Sequence, residues 1–305
     1  MQASMKRFAR TRSSNIRNLR FCLACAARTI RRAHEQGISW VDTAPAYGTG
    51  HAEEVVGRSV SGLRPPLRVF TKVSLKWTAD RRITHSLKAD SIRAEVEASR
   101  RRLRTEAIDL AQVHWPEPEE DIEEAWRTLA DLKDRGLVRH IGVSNFSVAQ
   151  MERAGAIAPV ETLQPPYSLV APEVEKEILP YARAHGMGVI VYSPMGCGLL
   201  TGTMTAERVA RLPEDDWRKR DPEFHEPRLG RHQALARLLG QIGHRHGGRS
   251  AAEVAIAWTL ANPAVTAAIV GGRSPEQVDG FAGAMKLHLT REDLAEIEEF
   301  RAQHP

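Results

Sequence analysis

From about residue 26 onward, short hydrophobic runs rich in β-branched residues alternate with stretches in which hydrophobic residues recur every three or four positions. The short runs are typical of buried strands, and the longer stretches of helices that cover a sheet. Strands are predicted at residues 39–43, 68–73, 108–114, 140–144, 161–164, 188–192 and 264–270. Helices are predicted at residues 27–36, 91–103, 122–133, 173–185 and 251–261. The alternation indicates repeated βα units around a parallel sheet.

Two architectures fit this alternation, a closed barrel and an open, doubly wound sheet. An open sheet that binds a dinucleotide normally carries a G-x-G-x-x-G turn after its first strand, and the chain contains no such motif. Seven strands and an uninterpreted beginning therefore predict an α/β, (β/α)8 TIM barrel whose first strand is missing or atypical. We expect one barrel domain at residues 28–305, preceded by an atypical basic segment at residues 1–27.

The longest irregular stretch, residues 201–229, is rich in charge and proline and follows the strand predicted at residues 188–192. A loop of this length inside a compact domain is usually functional. Glycines mark the predicted ends of three helices, at Gly37, Gly136 and Gly186.

The composition is that of a globular protein, with 42% hydrophobic residues and no run of eighteen or more apolar residues. Cys22, Cys25 and Cys197 form an odd set without repeated spacing, which supports neither a disulfide framework nor a zinc site. The C-x-x-C formed by Cys22 and Cys25 is a weak redox signal, better explained as two small apolar residues. We therefore predict a soluble, cytoplasmic protein without a metal site.

The positive charge of the chain is concentrated at its beginning. The first 34 residues contain no acid and nine basic residues: Lys6, Arg7, Arg10, Arg12, Arg17, Arg20, Arg28, Arg31 and Arg32. The rest of the chain carries 34 basic and 38 acidic residues, so the net charge of +5 is a local property. The composition of this segment fits a transit peptide, but no second basic face supports nucleic-acid binding. We expect a small-molecule partner, no nucleic acid, no membrane, and a monomer or weak oligomer.

Four ionisable side chains lie at or after the ends of predicted strands. Asp42 ends the strand in SWVDTAPAYG and Tyr47 follows it, Lys72 lies near the end of RVFTKV, and His114 closes IDLAQVHW. The C-terminal ends of the strands form the active site of a βα barrel. A lysine inside a buried strand needs a charged partner, and Asp42 on the neighbouring strand is a candidate.

These four residues suggest proton transfer to a carbonyl group. Tyr47 would be the general acid, Lys72 would lower its pKa by favouring the phenolate, and Asp42 would orient Lys72. A neutral His114 could donate a hydrogen bond to the oxygen of an aldehyde or ketone during hydride addition. Each residue alone also has an ordinary explanation as a helix cap, surface tyrosine, rim lysine or core histidine. Their occurrence at three successive strand ends favours the catalytic interpretation.

Longer motifs extend the pattern along the chain: GISWVDTAPAYGTGHAEEVVGRSV, VFTKV, QVHWP, GLVRHIGVSNFS, LQPPYSL, VYSPMGCGLLTG and AIVGGRSPEQV. From about Arg28 to the C-terminus the chain resembles the aldo-keto reductases. The segments QPPYSL and DDWRKRDPEFHEPR are most similar to bacterial members of the general stress protein branch. The resemblance implies a (β/α)8 barrel and NADPH-dependent carbonyl reduction, with Asp42, Tyr47, Lys72 and His114 as the catalytic tetrad.

The resemblance also implies a site for NADPH, to which Asp42 contributes. Ser144, Asn145 and Gln164 match residues that hydrogen-bond the nicotinamide carboxamide, and Tyr192 matches the aromatic residue that stacks on the nicotinamide ring. Residues 193–200 match the backbone that passes the pyrophosphate. The predicted contacts in that segment are Ser193, Pro194, Met195, Gly196, Gly198 and Leu200.

The adenosine end of the cofactor is expected at GGRSPEQV, where the predicted contacts are Gly272, Arg273 and Gln277. A helix N-terminus beside Arg273 suits a 2′-phosphate. The segment GGRSPEQV is also an ordinary helix start, with Ser274 as N-cap and Gln277 completing a capping box.

Four further positions are interpreted from the resemblance. Arg218 matches an arginine that supports the cofactor in similar proteins, or is a solvated surface residue. Thr203 replaces a lysine that is common in relatives, so we expect weaker cofactor binding. Trp77 and Trp115 match the walls of the substrate pocket and complete, with Tyr47 and His114, a predicted site for small or aromatic aldehydes.

The beginning of the chain departs from the family pattern. Nothing in residues 1–27 resembles the usual hairpin and first strand, and the similarity starts at about RTIRRAHEQGISW. We attribute the change to a frameshift or a misassigned start, or to a targeting extension joined to a shortened barrel; residues 21–26 could form a crude strand. Two alternatives to a reductase remain open: an NADPH-binding redox-sensing module with little turnover, and an inactive barrel without its first strand.

Overall fold

The computed structural model describes residues 23–304, which form a parallel sheet surrounded by helices. The strands are β1 Trp40–Asp42, β2 Arg68–Val73, β3 Leu75–Trp77, β4 Ile83–His85, β5 Ile108–Val113, β6 Val138–Ser144, β7 Thr162–Gln164, β8 Gly188–Tyr192 and β9 Ala267–Ile269. The helices are α1 Leu23–Glu35, α2 His51–Val60, α3 Ala89–Leu103, α4 Ile122–Asp134, α5 Val148–Gly155, α6 Ile178–Ala184, α7 Ala206–Ala210, α8 Arg228–Arg245, α9 Ala251–Ala261, α10 Pro275–Ala282 and α11 Arg291–Gln303.

Seven strands pair in parallel in the order β1-β2-β5-β6-β7-β8-β9, which is the nearly closed sheet of a (β/α)8 barrel. All seven predicted strands are present, although β9 is shorter than predicted and β6 begins two residues earlier. The register places Lys72 opposite Gln112 and Val143 opposite Leu163. Because the strands are parallel, their C-terminal ends meet at one rim of the barrel.

The central strands are almost continuously apolar and buried. Ile108, Ala111 and Val113 of β5 and Ile141 and Val143 of β6 belong to one core that also includes the inner faces of α3 and α4. Burial on both faces explains why these strands read as hydrophobic runs rather than as an alternating pattern. By contrast, every residue of the two edge strands, β1 and β9, is only half-buried.

Among residues 23–304, no strand pairs with the free edges of β1 and β9. Helix α1 spans this gap in the outer layer, between α2 and α10. Arg32 Nε donates to Asp279 Oδ1 of α10 at 2.7 Å, and Gln36 Nε2 donates to the same oxygen at 3.0 Å. His34 Nε2 contacts the backbone oxygen of Pro65 on the other side, at 2.9 Å. The helical layer is therefore continuous across the position at which the sheet is open.

The prediction of a crude strand at residues 21–26 is wrong for the part that the structure describes. Residues 23–26 form the first turn of α1, which starts four residues earlier than predicted. The segment LACAA is rich in alanine and leucine, the best helix formers, which explains why it forms helix rather than strand. The rest of the basic segment, residues 1–22, lies outside the described residues, as do Cys22 and six of the nine basic side chains.

Two further differences concern helices and the long loop. The helix predicted at residues 173–185 is divided into a 3-10 turn at Glu173–Glu175 and α6, because Glu177 has a non-helical backbone with φ −137°. Residues 201–229 are irregular, as expected, but enclose α7 and a small separate core. That core consists of Leu199, Met204, Val209, Phe224 and Leu229. None of the helices in the described part of the chain is long and apolar enough to cross a membrane.

Candidate active site

The four side chains predicted to form a catalytic group lie together at the C-terminal rim of the barrel. Lys72 Nζ is 2.5 Å from Asp42 Oδ2, and these two side chains are only 1% and 5% exposed. The same Nζ atom lies 5.5 Å from the centre of the Tyr47 ring. The ring of His114 packs edge-on against Tyr47, with 5.9 Å between ring centres. Their catalytic role stays a prediction, which this geometry permits.

Lys72 is the central charge of the site. Its Nζ atom also donates to the backbone oxygen of Thr43 at 3.0 Å. Burial works to lower the pKa of Lys72, but the attraction of Asp42 and Tyr47 prevails and raises the pKa above its usual value. Lys72 therefore remains an ammonium group at neutral pH, as an electrostatic role beside Tyr47 requires.

His114 is buried and neutral. Burial lowers its pKa well below the usual value, and the positive charge of Lys72 acts in the same direction. Its Nδ1 atom is buried without a hydrogen-bond partner among residues 23–304. A buried N–H without an acceptor is rarer than an acceptor without a donor, so we assign the proton to Nε2. This tautomer can donate a hydrogen bond from Nε2.

Two glutamines link the catalytic group to the far strands, and the sequence interpretation did not include Gln112. Gln164 Nε2 donates to Asp42 Oδ1 at 3.0 Å and to Gln112 Oε1 at 2.8 Å. Gln112 Nε2 in turn donates to Thr162 Oγ1 at 3.2 Å. Gln112 lies two residues before His114, which follows β5 directly, so the two side chains point to the same face of the sheet. This alternation is the signal by which the sequence could have identified Gln112. This network fixes the carboxylate of Asp42 toward Lys72.

The residues predicted to hold the nicotinamide carboxamide are joined to one another. Asn145 Nδ2 donates to the His114 backbone oxygen and to Ser144 Oγ, both at 3.0 Å, while Tyr192 OH donates to Asn145 Oδ1 at 2.9 Å. Ser144 Oγ donates to the backbone oxygen of Gln164 at 2.8 Å. Asn145 has φ 65°, a left-handed backbone that asparagine tolerates better than most residues. These bonds orient the ring of Tyr192, whose stacking role stays a prediction.

The segment predicted to pass the pyrophosphate has an unusual backbone. Ser193, Gly196, Cys197 and Gly198 have φ 60°, 57°, 58° and 106°. A Cβ atom on Gly196 would lie 2.7 Å from Val170 Cγ2, and one on Gly198 would lie 2.9 Å from Met204 Cε. Gly196 is therefore favoured by its close packing on Val170, and Gly198 by its φ of 106°, which other residues rarely adopt.

Two arginines predicted to support the cofactor, Arg218 of the long loop and Arg273 at the adenosine end, act on Asp216, a residue that the sequence interpretation did not include. Arg218 binds Asp216 through both Nε (3.0 Å) and an Nη atom (2.7 Å), so it is paired rather than fully solvated, and its support of the cofactor stays a prediction. Burial opposes the charged form of Asp216, but Arg218 and Arg273 together lower its pKa. Asp216 therefore joins the long loop to the GGRSPEQV segment electrostatically.

The helix start at that segment differs in one bond from a capping box. Ser274 Oγ accepts from the backbone N–H of Gln277 at 3.4 Å, as expected of an N-cap. The side chain of Gln277, however, accepts from the backbone N–H of Arg273 at 2.8 Å rather than from that of Ser274. Gln277 thereby fixes the backbone of Arg273, while Gly272 lies close to Thr29 of α1.

A second arginine in the long loop was missed by the sequence interpretation. An Nη atom of Arg208 donates to Thr203 Oγ1 at 2.6 Å and to the Thr203 backbone oxygen at 3.3 Å. A guanidinium group therefore lies at the position where the sequence alone indicated a lost positive charge. The five-residue spacing between Thr203 and Arg208, across the start of α7, carries no recognisable motif.

The two predicted pocket tryptophans lie at neighbouring strand ends. Trp77 ends β3 of an antiparallel hairpin formed with β4, which the sequence interpretation did not predict. Trp115 follows His114 directly, and its backbone N–H and C=O both contact Ser74 Oγ at 3.2 Å. Their role as substrate-pocket walls stays a prediction.

The site is chemically suited to a nicotinamide dinucleotide. The exposed Arg273 stands at the start of α10, where a guanidinium group and free backbone N–H groups suit a phosphate. The contact of residues 196–198 with a pyrophosphate stays a prediction. Among the described residues, no group of three His, Cys, Asp or Glu side chains is placed to hold a metal ion.

Comparison with known proteins agrees with this geometry. The model of the Aldo/keto reductase family matches residues 13–302. Aldo-keto reductase YhdN of Bacillus subtilis (strain 168) is 40% identical over 271 residues, which are 88% of this chain and 81% of that protein. The NADH-specific methylglyoxal reductase of Escherichia coli (strain K12) is 31% identical over 294 residues, covering 89% of this chain and 86% of that protein.

The fold comparison gives the same family. The glycerol dehydrogenase AKR11B4 from Gluconobacter oxydans superposes with a TM-score of 0.86 at 38% identity, covering 91% of this chain and 85% of that one. The nearly closed barrel, the grouped side chains and these similarities together show that the chain belongs to the aldo-keto reductase family of oxidoreductases.

Proposed function

We propose that this protein reduces small aldehydes and ketones to alcohols with NADPH, using Tyr47 as the general acid. The observation that carries the proposal is the grouping of Tyr47, Lys72 and His114 around a buried ion pair at the rim of the barrel. A charged ammonium and a neutral imidazole close to a phenol fit the delivery of one proton to a carbonyl oxygen.

The proposed roles follow from the contacts of each side chain. Tyr47 donates its phenolic proton to the carbonyl oxygen, and the positive charge of Lys72 stabilises the phenolate that remains. His114 donates a hydrogen bond from Nε2 to the same oxygen and so orients the substrate. Asp42 holds Lys72 in place, and Gln164 holds Asp42. Trp77 and Trp115 exclude water from the substrate and favour small or aromatic carbonyl compounds.

The cofactor would be held by the predicted nicotinamide, pyrophosphate and adenosine contacts, and when bound it supplies the hydride. Arg273 provides positive charge for the 2′-phosphate that distinguishes NADPH from NADH. Arg208, bonded to Thr203, offers the phosphate-binding charge that the missing lysine would supply. Asp216, between Arg218 and Arg273, acts in the opposite direction because a carboxylate repels a phosphate. One relative is NADH-specific by name, so both nucleotides belong in the test.

The substrate class is proposed to be small oxygenated carbonyl compounds. Two similar proteins are described as a methylglyoxal reductase and a glycerol dehydrogenase, which supports this class. We also propose that the protein is cytoplasmic and works as a monomer or weak oligomer on free metabolites.

The experiment is to mix the purified chain with NADPH or NADH and then with methylglyoxal, glyceraldehyde or para-nitrobenzaldehyde, following the absorbance of the reduced nucleotide. We expect turnover with NADPH, and its loss in the Tyr47→Phe variant with nucleotide binding retained. Tight NADPH binding without a single turnover would instead favour a redox-sensing module. Absence of nucleotide binding, together with a melting temperature that NADPH does not raise, would favour a barrel unable to assemble its site.

A further inference from the structure

A strained residue joins the strand of Lys72 to the hairpin of Trp77. Ser74 lies between β2 and β3 and has φ 85°, a left-handed backbone that costs a non-glycine residue energy. It is fully buried, and each of its polar groups is bonded. Its C=O accepts from the backbone N–H of Ser86 at 3.1 Å, and its Oγ contacts the N–H and C=O of Trp115. Ser74 thus touches both segments that carry the pocket tryptophans.

The remaining group of Ser74, its N–H, donates to the carboxylate of Glu95 at 2.9 Å. Glu95 belongs to α3, is only 8% exposed, and accepts a second hydrogen bond from Ser91 Oγ at 2.9 Å. A carboxylate is a stronger acceptor than a neutral group, so it is suited to holding a backbone in a strained conformation. Strained residues persist only where their surroundings fix them, and they cluster at functional sites.

We propose that Glu95 is a positioning residue of the substrate pocket: by fixing Ser74, it sets the placement of the Trp77 hairpin relative to Trp115 and thereby the affinity for the carbonyl substrate. This inference rests on the proposed carbonyl reductase activity. Glu95 itself lies outside the group that would contact substrate or cofactor and acts through Ser74.

The charge of Glu95 makes this placement sensitive to pH. Burial raises the pKa of Glu95 to about 7, against the opposing hydrogen bonds from Ser91 and Ser74. Two charged groups face it from neighbouring elements: Lys76 of the hairpin favours the carboxylate, and Glu53 of α2 disfavours it. Glu53 is itself paired with Arg102 at 2.6 Å. Protonation near neutral pH replaces a charged acceptor of the Ser74 N–H with a weaker neutral one.

The test compares Glu95→Gln, Glu95→Ala and the matched control Glu97→Gln in the full chain. Glutamine keeps the shape of Glu95 and can bond both serines but does not titrate. Glu97 lies on the same helix, is half-exposed, and is paired with Arg100 and Arg101. The measurements are KM and kcat for one aldehyde, the dissociation constant of NADPH, and intrinsic tryptophan fluorescence, each from about pH 5.5 to about pH 8.5.

In the wild type and in Glu97→Gln, we expect the aldehyde KM to rise with a midpoint at about pH 7 as the pH falls. Neither kcat nor NADPH affinity should follow that midpoint. In Glu95→Gln the KM should be independent of pH across this range and equal to the low-pH wild-type value. In Glu95→Ala the aldehyde KM should be about tenfold higher than the high-pH value of the wild type at every pH, because the N–H of Ser74 loses its partner. The fluorescence of the cofactor-free wild type should show the same midpoint, and that of Glu95→Gln should not.

The proposal is overturned if Glu95→Gln keeps the wild-type KM profile, or if the Glu95 variants change kcat and NADPH affinity as much as KM. A wild type without turnover would refute the proposed function instead. The fluorescence titration would then still decide whether Glu95 controls the surroundings of the tryptophans. If Glu95→Ala fails to fold, Glu95→Gln carries the test alone.

Discussion

The buried pair of Lys72 and Asp42 allows a quantitative prediction for the variant Asp42→Asn. Asparagine can still accept from Gln164 at Oδ1, but it presents an NH2 group instead of an oxygen to Lys72 Nζ. The ammonium of Lys72 stays 99% buried with one backbone acceptor, the oxygen of Thr43. The variant therefore loses the attraction and keeps the dehydration penalty of a buried charge.

The magnitude follows from the geometry. At 2.5 Å and an effective dielectric constant of about 20, the attraction is about 7 kcal/mol. Dehydration of both ions offsets several kcal/mol of it, so removal of one partner alone should lower the free energy of unfolding by about 3–5 kcal/mol. Lys72→Met removes the charge together with its dehydration penalty. The double variant should therefore be destabilised by at least about 1 kcal/mol less than the sum of the single variants.

The assay is urea unfolding followed by circular dichroism for the wild type, both single variants and the double variant. Because the pKa of Lys72 is raised in the folded state, the stability from the pair is fully present below the ordinary lysine pKa of about 10.4 and is lost only at higher pH. In Asp42→Asn, by contrast, the burial of Lys72 is no longer opposed by Asp42, so the pKa of Lys72 falls and the ammonium is lost more easily as the pH rises. The difference in the free energy of unfolding between wild type and Asp42→Asn should therefore be largest at about pH 6 and become smaller toward about pH 9. A loss below about 1 kcal/mol, or additive single effects, would refute this reasoning.

Four further outcomes are expected. Tyr47→Phe should lower kcat by about 100-fold or more and leave NADPH affinity within about twofold; an unchanged kcat excludes Tyr47 as the acid. His114 has a pKa well below its usual value, whereas the unfolded imidazole binds a proton below about pH 6.5, so the free energy of unfolding falls as the pH drops through that value. His114→Gln should remove about 1 kcal/mol of this pH dependence in urea titrations. The pKa of Glu95 is raised to about 7 in the folded state, so the wild type loses stability as the pH rises from the ordinary glutamate pKa through about 7. The free energy of unfolding of Glu95→Gln, relative to that of the wild type, should therefore increase by about 2–4 kcal/mol between about pH 5 and about pH 8. Arg273→Ala should weaken NADPH binding about tenfold more than NADH binding in fluorescence titrations; equal losses contradict a contact with the 2′-phosphate.

The sequence predicted much of the fold because the strands of a parallel sheet are buried on both faces. The hydrophobic runs of β2, β5 and β8 therefore identify them with little ambiguity. The hairpin β3–β4 escaped prediction because its strands are three residues long and partly exposed, and because it depends on the left-handed backbone of Ser74. A left-handed serine has no signature in the sequence, since it is imposed by bonds to Glu95, Ser86 and Trp115.

The start of α1 differs from what the family resemblance predicts. The family pattern needs a strand before the first helix and so predicts one at residues 21–26, yet residues 23–26 follow their own helix propensity and form the first turn of α1. Helix α1 then docks across the open position of the sheet through Arg32 and Asp279. Those two residues are 247 positions apart, so no local pattern could have paired them.

Reasoning from the sequence was enough to group Asp42, Tyr47, Lys72 and His114, because the C-terminal ends of parallel strands meet at one rim of a barrel. Their catalytic role stays a prediction. How these side chains are held became visible only in the folded molecule. Three sets of hydrogen bonds hold the site. They run from Thr162 through Gln112 and Gln164 to Asp42, from the guanidinium of Arg208 to Thr203, and from the N–H of Ser74 to Glu95. Each of these contacts joins separate elements through side chains, and their geometry arises only when the sheet and its helices have packed.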